Sequence, residues 1–257
     1  RKAAAQIGPA RPQRNGEREK RRGGQAGLDQ NGGAHARPRK RRLTGGGVRR
    51  ALLNRLPNRF SWNSRCIVDV GAFPIEGPLL ITPKRFGDDR GWFSESYNKR
   101  ALAEAGLDVD FVQDNLSLSR EAGTLRGLHY QAPPRAQGKL VSVVTGAVLD
   151  VAVDVREGSP TYGRHVSARL DGETGAQLWV PEGFLHGFVT LEPDTRVAYK
   201  VTAFYSREHD GAIAWDDPDI AIDWGVNAPI LSEKDKAAPR LKEAGVLFPA
   251  EPALSEG

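Results

Sequence analysis

Lys139-Leu-Val-Ser-Val-Val-Thr-Gly-Ala-Val-Leu-Asp-Val-Ala-Val-Asp154 is a dense run of β-branched residues. Residues 140–144 and 147–154 each have the composition of a strand, and Thr145-Gly146 between them reads as a turn. The pattern predicts a β-hairpin. Asp150 and Asp154 fall on one face of its second strand, opposite Leu149 and Val153. Outward from this stretch the same signal recurs at 78–82, 92–97, 111–115, 123–130, 164–170, 176–180, 187–191 and 195–204, with 86–91 reading as a turn. Each run is short and bounded by Gly, Pro or Asp. Many short strands at regular spacing predict an all-β barrel or sandwich.

Helical pattern is scarce. Asn98 can cap a short helix over 98–106, with Ala101, Leu102 and Ala105 as its apolar side and Gly106 as its end; Ser232 can cap another over 232–238. There is no internal repeat. The chain carries a net charge of +5, but the average conceals two opposite parts. Residues 1–66 hold 18 Lys and Arg against Glu17, Glu19 and Asp29, and the remaining residues hold 19 basic and 29 acidic side chains. Residues 1–66 therefore read as a disordered basic extension, with too little apolar surface to offset the entropy of ordering. Its runs Lys20-Arg21-Arg22 and 37–42 have the composition of a nucleic-acid arm. The acidic balance of the domain expected over 67–250 argues against nucleic acid as its partner. Cys66 is the sole cysteine, which excludes an intrachain disulfide. No apolar run approaches the roughly 18 residues of a membrane helix, and the basic N-terminus is not followed by the apolar region of a secretory signal. A cytoplasmic location is expected.

Two stretches carry chemistry. In Leu125-Arg126-Gly127-Leu128-His129-Tyr130-Gln131, followed by Lys139, an imidazole, a guanidinium and an ammonium share an apolar, strand-like setting. His129 titrates near neutrality and is the natural base, although a structural histidine would fit the same place. Arg126 and His129 are three residues apart and would face opposite ways on a regular strand; Gly127 between them is placed for a bulge that turns both inward. The second stretch, Gly175-x5-Pro181-x-Gly183-x2-His186, matches the second motif of the cupin family of small β-barrels, with Thr190 where that motif usually has Asn. Metal-dependent cupins carry a His-x-His pair in their first motif, to bind a metal through imidazoles and a carboxylate. The corresponding stretch here is His129-Tyr130-Gln131. A cupin-type barrel without a metal is expected.

Residues 75–245 resemble the dTDP-4-dehydrorhamnose 3,5-epimerase family. The resemblance rests on Asp89-Arg-Gly-Trp-Phe-Ser-Glu95, Gln113-Asp-Asn115, Leu125–Tyr130, Gln137-Gly-Lys139, Asp154-Val-Arg-Glu-Gly-Ser-Pro160, Pro181-Glu-Gly-Phe-Leu-His-Gly187, Tyr205-Ser-Arg-Glu-His-Asp210, Asp216-Asp-Pro-Asp-Ile-Ala-Ile-Asp-Trp224 and Leu231-Ser-Glu-Lys-Asp235. It implies a cupin-type jelly roll, a dTDP-4-keto-6-deoxy sugar as substrate, no cofactor, and a homodimer in dTDP-L-rhamnose biosynthesis. It further implies His129 as the base, Asp235 as its carboxylate partner, Tyr199 as the acid on the other face of the sugar and Lys139 beside the 4-keto oxygen. Arg90, Glu95, Gln113, Asn115, Arg126, His186 and Lys234 match nucleotide-sugar contacts, and Tyr205 matches an aromatic that stacks on thymine. Asp210 is a departure, because relatives usually have Glu there. Two other functions stay open: inversion at C3 or C5 alone, and a non-catalytic cupin that binds a sugar nucleotide.

Overall fold

The structure, a computed structural model, describes residues 67–250; the expected extension over 1–66 lies outside them. Thirteen strands occur among the described residues: β1 (Val68–Ala72), β2 (Leu79–Pro83), β3 (Arg85–Asp88), β4 (Gly91–Ser94), β5 (Gln113–Ser119), β6 (Leu125–Gln131), β7 (Lys139–Thr145), β8 (Ala147–Asp154), β9 (His165–Asp171), β10 (Gln177–Val180), β11 (Phe184–Thr190), β12 (Thr195–Val201) and β13 (Asp210–Ala212). Two short helices are α1 (Lys99–Glu104) and α2 (Glu233–Lys236). Strands β1-β2-β10-β7-β12-β5 form one sheet, β13-β6-β11-β8-β9 a second, and β3-β4 a separate hairpin. The strands within each sheet pair antiparallel. This is the cupin-type jelly roll that the resemblance implies.

The expected hairpin over 139–154 is corrected. β7 pairs with β10 and β12, whereas β8 pairs with β11 and β9, so the chain changes sheets at Thr145-Gly146. An apolar, β-branched run identifies a strand but not its partner. Both strands are apolar because each lines the space between the sheets, the arrangement of a sandwich core. The corner is tight: Gly146 has φ +80°, and a Cβ there would lie 2.2 Å from Thr195 Oγ1. The central core packs Val141, Val143, Leu178, Val180 and Val197 of one sheet against Val148, Ala152, Val166, Leu170 and Phe188 of the other. Burying each such side chain contributes about 1.5–3 kcal/mol. β8 is buried on its other face too, where Val151 and Val153 meet Ile220, Trp224, Leu241 and Phe248 of the C-terminal segment.

A second correction concerns 86–91, read as a turn. Arg85–Asp88 is strand β3, paired with β4, and only Asp89 and Arg90 turn. Gly87 and Asp88 are poor strand formers; tertiary contacts hold the hairpin, with Arg85 donating to the carbonyls of Glu173 and Gly172 and lying 3.7 Å over the Trp92 ring. Both helix caps form as expected. Asn98 accepts from the Ala101 N–H and Leu102 is buried against Ile81 and Trp179; Ser232 accepts from the Asp235 N–H.

Candidate active site

The site begins at an irregularity in β6. His129 pairs with His186 and Arg126 with Phe188, so two residues of β6 span one residue of β11. This is a bulge on β6, and it rephases the strand. Leu125 and Leu128 both pack into the outer core, which leaves Arg126 and His129 on the inner face. Gly127 makes it possible: φ is +138°, and a Cβ would lie 2.5 Å from the Gly187 Cα. Only a residue without a side chain fits that approach.

His129 Nε2 lies 2.5 Å from Asp235 Oδ1. Asp235 sits in the first turn of α2, 2% exposed, and its other oxygen accepts from the Ser232 hydroxyl at 2.7 Å. Burial raises the Asp235 pKa, but hydrogen bonds from His129 and Ser232 and the charges of His129 and Lys234 outweigh it, so it stays below the ordinary carboxylate range. Beside the dyad, His186 Nε2 is 2.6 Å from Asp150 Oδ1, and Asp150 is fully buried with its second oxygen unbonded.

The other sheet forms the facing wall. Register with β12 places Gln113, Asn115 and Ser117 opposite Val201, Tyr199 and Val197, on the inner face. Lys139 of β7 pairs with Val201 and shares that face. The Tyr199 phenol is raised above its usual pKa by burial; the Arg126 guanidinium opposes this and Asp210 adds to it. Arg126 is held beside it by Ser119 Oγ and the Leu118 carbonyl, each at 3.2 Å. Lys139 is brought down to about 8 by burial, with Asp150 and Asp210 opposing and Lys234 assisting. A polar chain continues to the rim. Gln113 donates to Asn115 at 2.8 Å and accepts from the Tyr205 N–H at 3.2 Å; the Tyr205 hydroxyl donates to Asp210 at 3.3 Å, and Lys234 to the same oxygen at 2.6 Å.

An imidazole paired with a carboxylate on one wall thus faces a protonated phenol and a cation on the other. Residues 72–243 match the sequence profile of dTDP-4-dehydrorhamnose 3,5-epimerase. The chain belongs to the dTDP-4-dehydrorhamnose 3,5-epimerase family. A member from Sinorhizobium fredii is 57% identical over 170 residues, covering 66% of this chain and 87% of that protein. The crystal structure of a Bacillus anthracis member with TDP and PPi bound superposes with a TM-score of 0.67 at 49% identity, covering 68% of this chain and 99% of that one. A 3'-monoepimerase from Streptomyces bikiniensis in complex with dTDP-quinovose gives 0.65 at 34% identity, covering 69% and 91%.

Of the residues that the family resemblance pointed to, the fold brings together His129, Asp235, Tyr199, Lys139, Gln113, Asn115, Arg126, His186, Tyr205, Asp210 and Lys234. It does not bring Arg90 and Glu95 there. Both lie on or beside the β3-β4 hairpin, where Arg90 pairs with Asp88 and Glu95 accepts from Asn98. That hairpin borders a groove on the outer face of the six-stranded sheet, with Trp92, Leu116, Ser142 and Val144 in its lining. Asp150 and Ser119, which bond His186 and Arg126, lie outside the motifs that carry the resemblance. The signals were present: an acid inside an apolar strand, and the polar alternation Gln113-x-Asn115-x-Ser117-x-Ser119. Thr190, the departure from the cupin motif, is buried and donates to the Glu121 carbonyl at 2.8 Å. Among the described residues no three His, Cys, Asp or Glu side chains converge as metal ligands, and no helix is long and apolar enough to cross a membrane.

Proposed function

We propose that the protein epimerises dTDP-4-dehydro-6-deoxy-D-glucose at C3 and C5 to dTDP-4-dehydro-L-rhamnose, in the cytoplasm, without a metal. The protons at C3 and C5 both flank the ketone, so removing either leaves an enolate. His129 takes the proton, and Asp235 fixes its tautomer and balances the imidazolium. Lys139 stabilises the negative charge that grows on the 4-keto oxygen. Tyr199 returns a proton from the other side, which inverts the carbon. What supports this reading is that His129 and Tyr199 lie on the inner faces of opposite sheets, with Arg126 of the His129 strand near enough to oppose the rise in the Tyr199 pKa. Arg126, Gln113, Asn115 and His186 would hold the sugar and its diphosphate, and Tyr205, Asp210 and Lys234 the nucleoside end.

The test is proton NMR of the protein with this substrate in deuterated water. Deuterium at both C3 and C5 with formation of the L-sugar supports the proposal, and no exchange at either position sinks it. Exchange at C3 alone would favour the single-position reading that the similarity to a 3'-monoepimerase suggests.

A homodimer completes the reading. Trp92 (59% exposed), Leu116 (70%) and Val144 (57%) leave apolar surface on one outer face, the kind that marks an interaction site. A partner seated there would receive Arg90 and Glu95 from the hairpin. Light scattering that returned a monomer mass would exclude it.

A further inference from the structure

The four-residue helix α2 is too short to hold itself by its own hydrogen bonds. Its seat depends on what it touches. Asp235 reaches His129 on β6, while the adjacent Lys234 reaches Asp210 on β13 at 2.6 Å. These two strands are neighbours: Asp210 pairs with Gln131 and Ala212 with His129 itself. The ion pair therefore ties α2 to the same strand pair as the dyad, one residue away on the helix and two positions along the strand pair. The helix's other lysine, Lys236, bonds only Glu233 within the helix.

We infer that the Asp210–Lys234 pair is a clamp that seats α2 so that Asp235 stays bonded to His129; this rests on the proposed role of His129 as base. Lys234 and Asp210 are then positioning residues, in addition to any contact with the nucleotide. The pair is partly exposed, at 43% and 25% of the side chains. Such pairs add little to global stability. The clamp acts on geometry, where a displacement near 1 Å at a catalytic group can cost about a hundredfold in rate. Lys234 also contributes to keeping Asp235 ionised.

The test uses the full chain with Lys234→Met, Asp210→Asn and the double variant, together with Lys234→Arg. Under the clamp, each single variant lowers kcat by roughly 10–100-fold, in addition to any rise in KM from a lost nucleotide contact. The double variant is no worse than the poorer single, Lys234→Arg recovers most of the rate, and melting temperatures stay close to the parent's. Imidazole nitrogen NMR provides a readout that needs no turnover: in Lys234→Met the His129 Nε2 signal loses its hydrogen-bonded position. Raised KM with unchanged kcat, additive losses, or an unmoved His129 signal would each overturn the clamp. If the parent enzyme proved inactive on the sugar nucleotide, the proposed reaction would fall, and the His129 signal would still decide the clamp.

Discussion

His129 Nε2 and Asp235 Oδ1 stand 2.5 Å apart although 106 positions separate them in the chain. With His129 as base, His129→Asn removes proton abstraction with little change of shape. Both solvent exchange and product formation should fall by about 10²–10⁴-fold. Asp235→Asn leaves a base that is poorly oriented, so the rate should drop while the stereochemistry of the product stays the same. Coupled assays and NMR of the product check both.

Tyr199→Phe keeps the ring packing and removes the hydroxyl. His129 can still take the proton and give it back to the same face. This variant should wash deuterium into C3 or C5 and form little inverted sugar. Loss of exchange and inversion together, with exchange retained in His129→Ala, would reverse the two roles.

Lys139 has a pKa near 8, lowered by burial and supported by Asp150 and Asp210. It stabilises an enolate only as the ammonium, so kcat should decline as pH rises through about 8. Asp150→Asn removes one supporting charge. The alkaline limb should then move to lower pH by roughly one unit. A limb that did not move would separate Asp150 from Lys139.

Asp154 is fully buried in the structural part of β8. Burial pushes its carboxyl up, but hydrogen bonds from Arg156, Ser159 and Thr161 prevail and bring it to about 2. A carboxylate lowered on folding stabilises the native state above its unfolded pKa, and that contribution is lost as pH falls from about 4 through 2. Acid unfolding followed by circular dichroism should show this dependence. Asp154→Ala leaves Arg156 without its partner and should cost about 3 kcal/mol at neutral pH.

Gly127→Ala tests the bulge. The added carbon meets backbone at Gly187, which cannot swing aside. Destabilisation of about 2–3 kcal/mol should come with a loss of activity, because Arg126 and His129 would no longer share a face.

Much of this was legible in the chain. β-branched, apolar composition at 140–144 and 147–154 marked two strands, Asn98 and Ser232 marked two helix starts, and Gly127 between Arg126 and His129 marked the bulge. These features depend on local geometry: the fit of β-branched side chains to a strand, the unpaired N–H groups of a first turn, and the freedom of glycine. The motifs placed His129, Lys139, His186 and Asp235 near one another only by resemblance. The pairing of strands was out of reach, because an apolar strand buried on both faces looks the same whether it folds back on its neighbour or crosses to the opposite sheet. That crossing at Thr145-Gly146 sets β7 against β8 and so sets the Lys139 wall against the His129 wall. Tertiary structure alone decided the Asp235 contact, the Asp210–Lys234 pair, the unbonded oxygen of Asp150, and the position of Arg90 and Glu95 outside the pocket. Each is a meeting of distant segments, and the energy that selects it comes from burial shared across the whole sandwich rather than from any one stretch of residues.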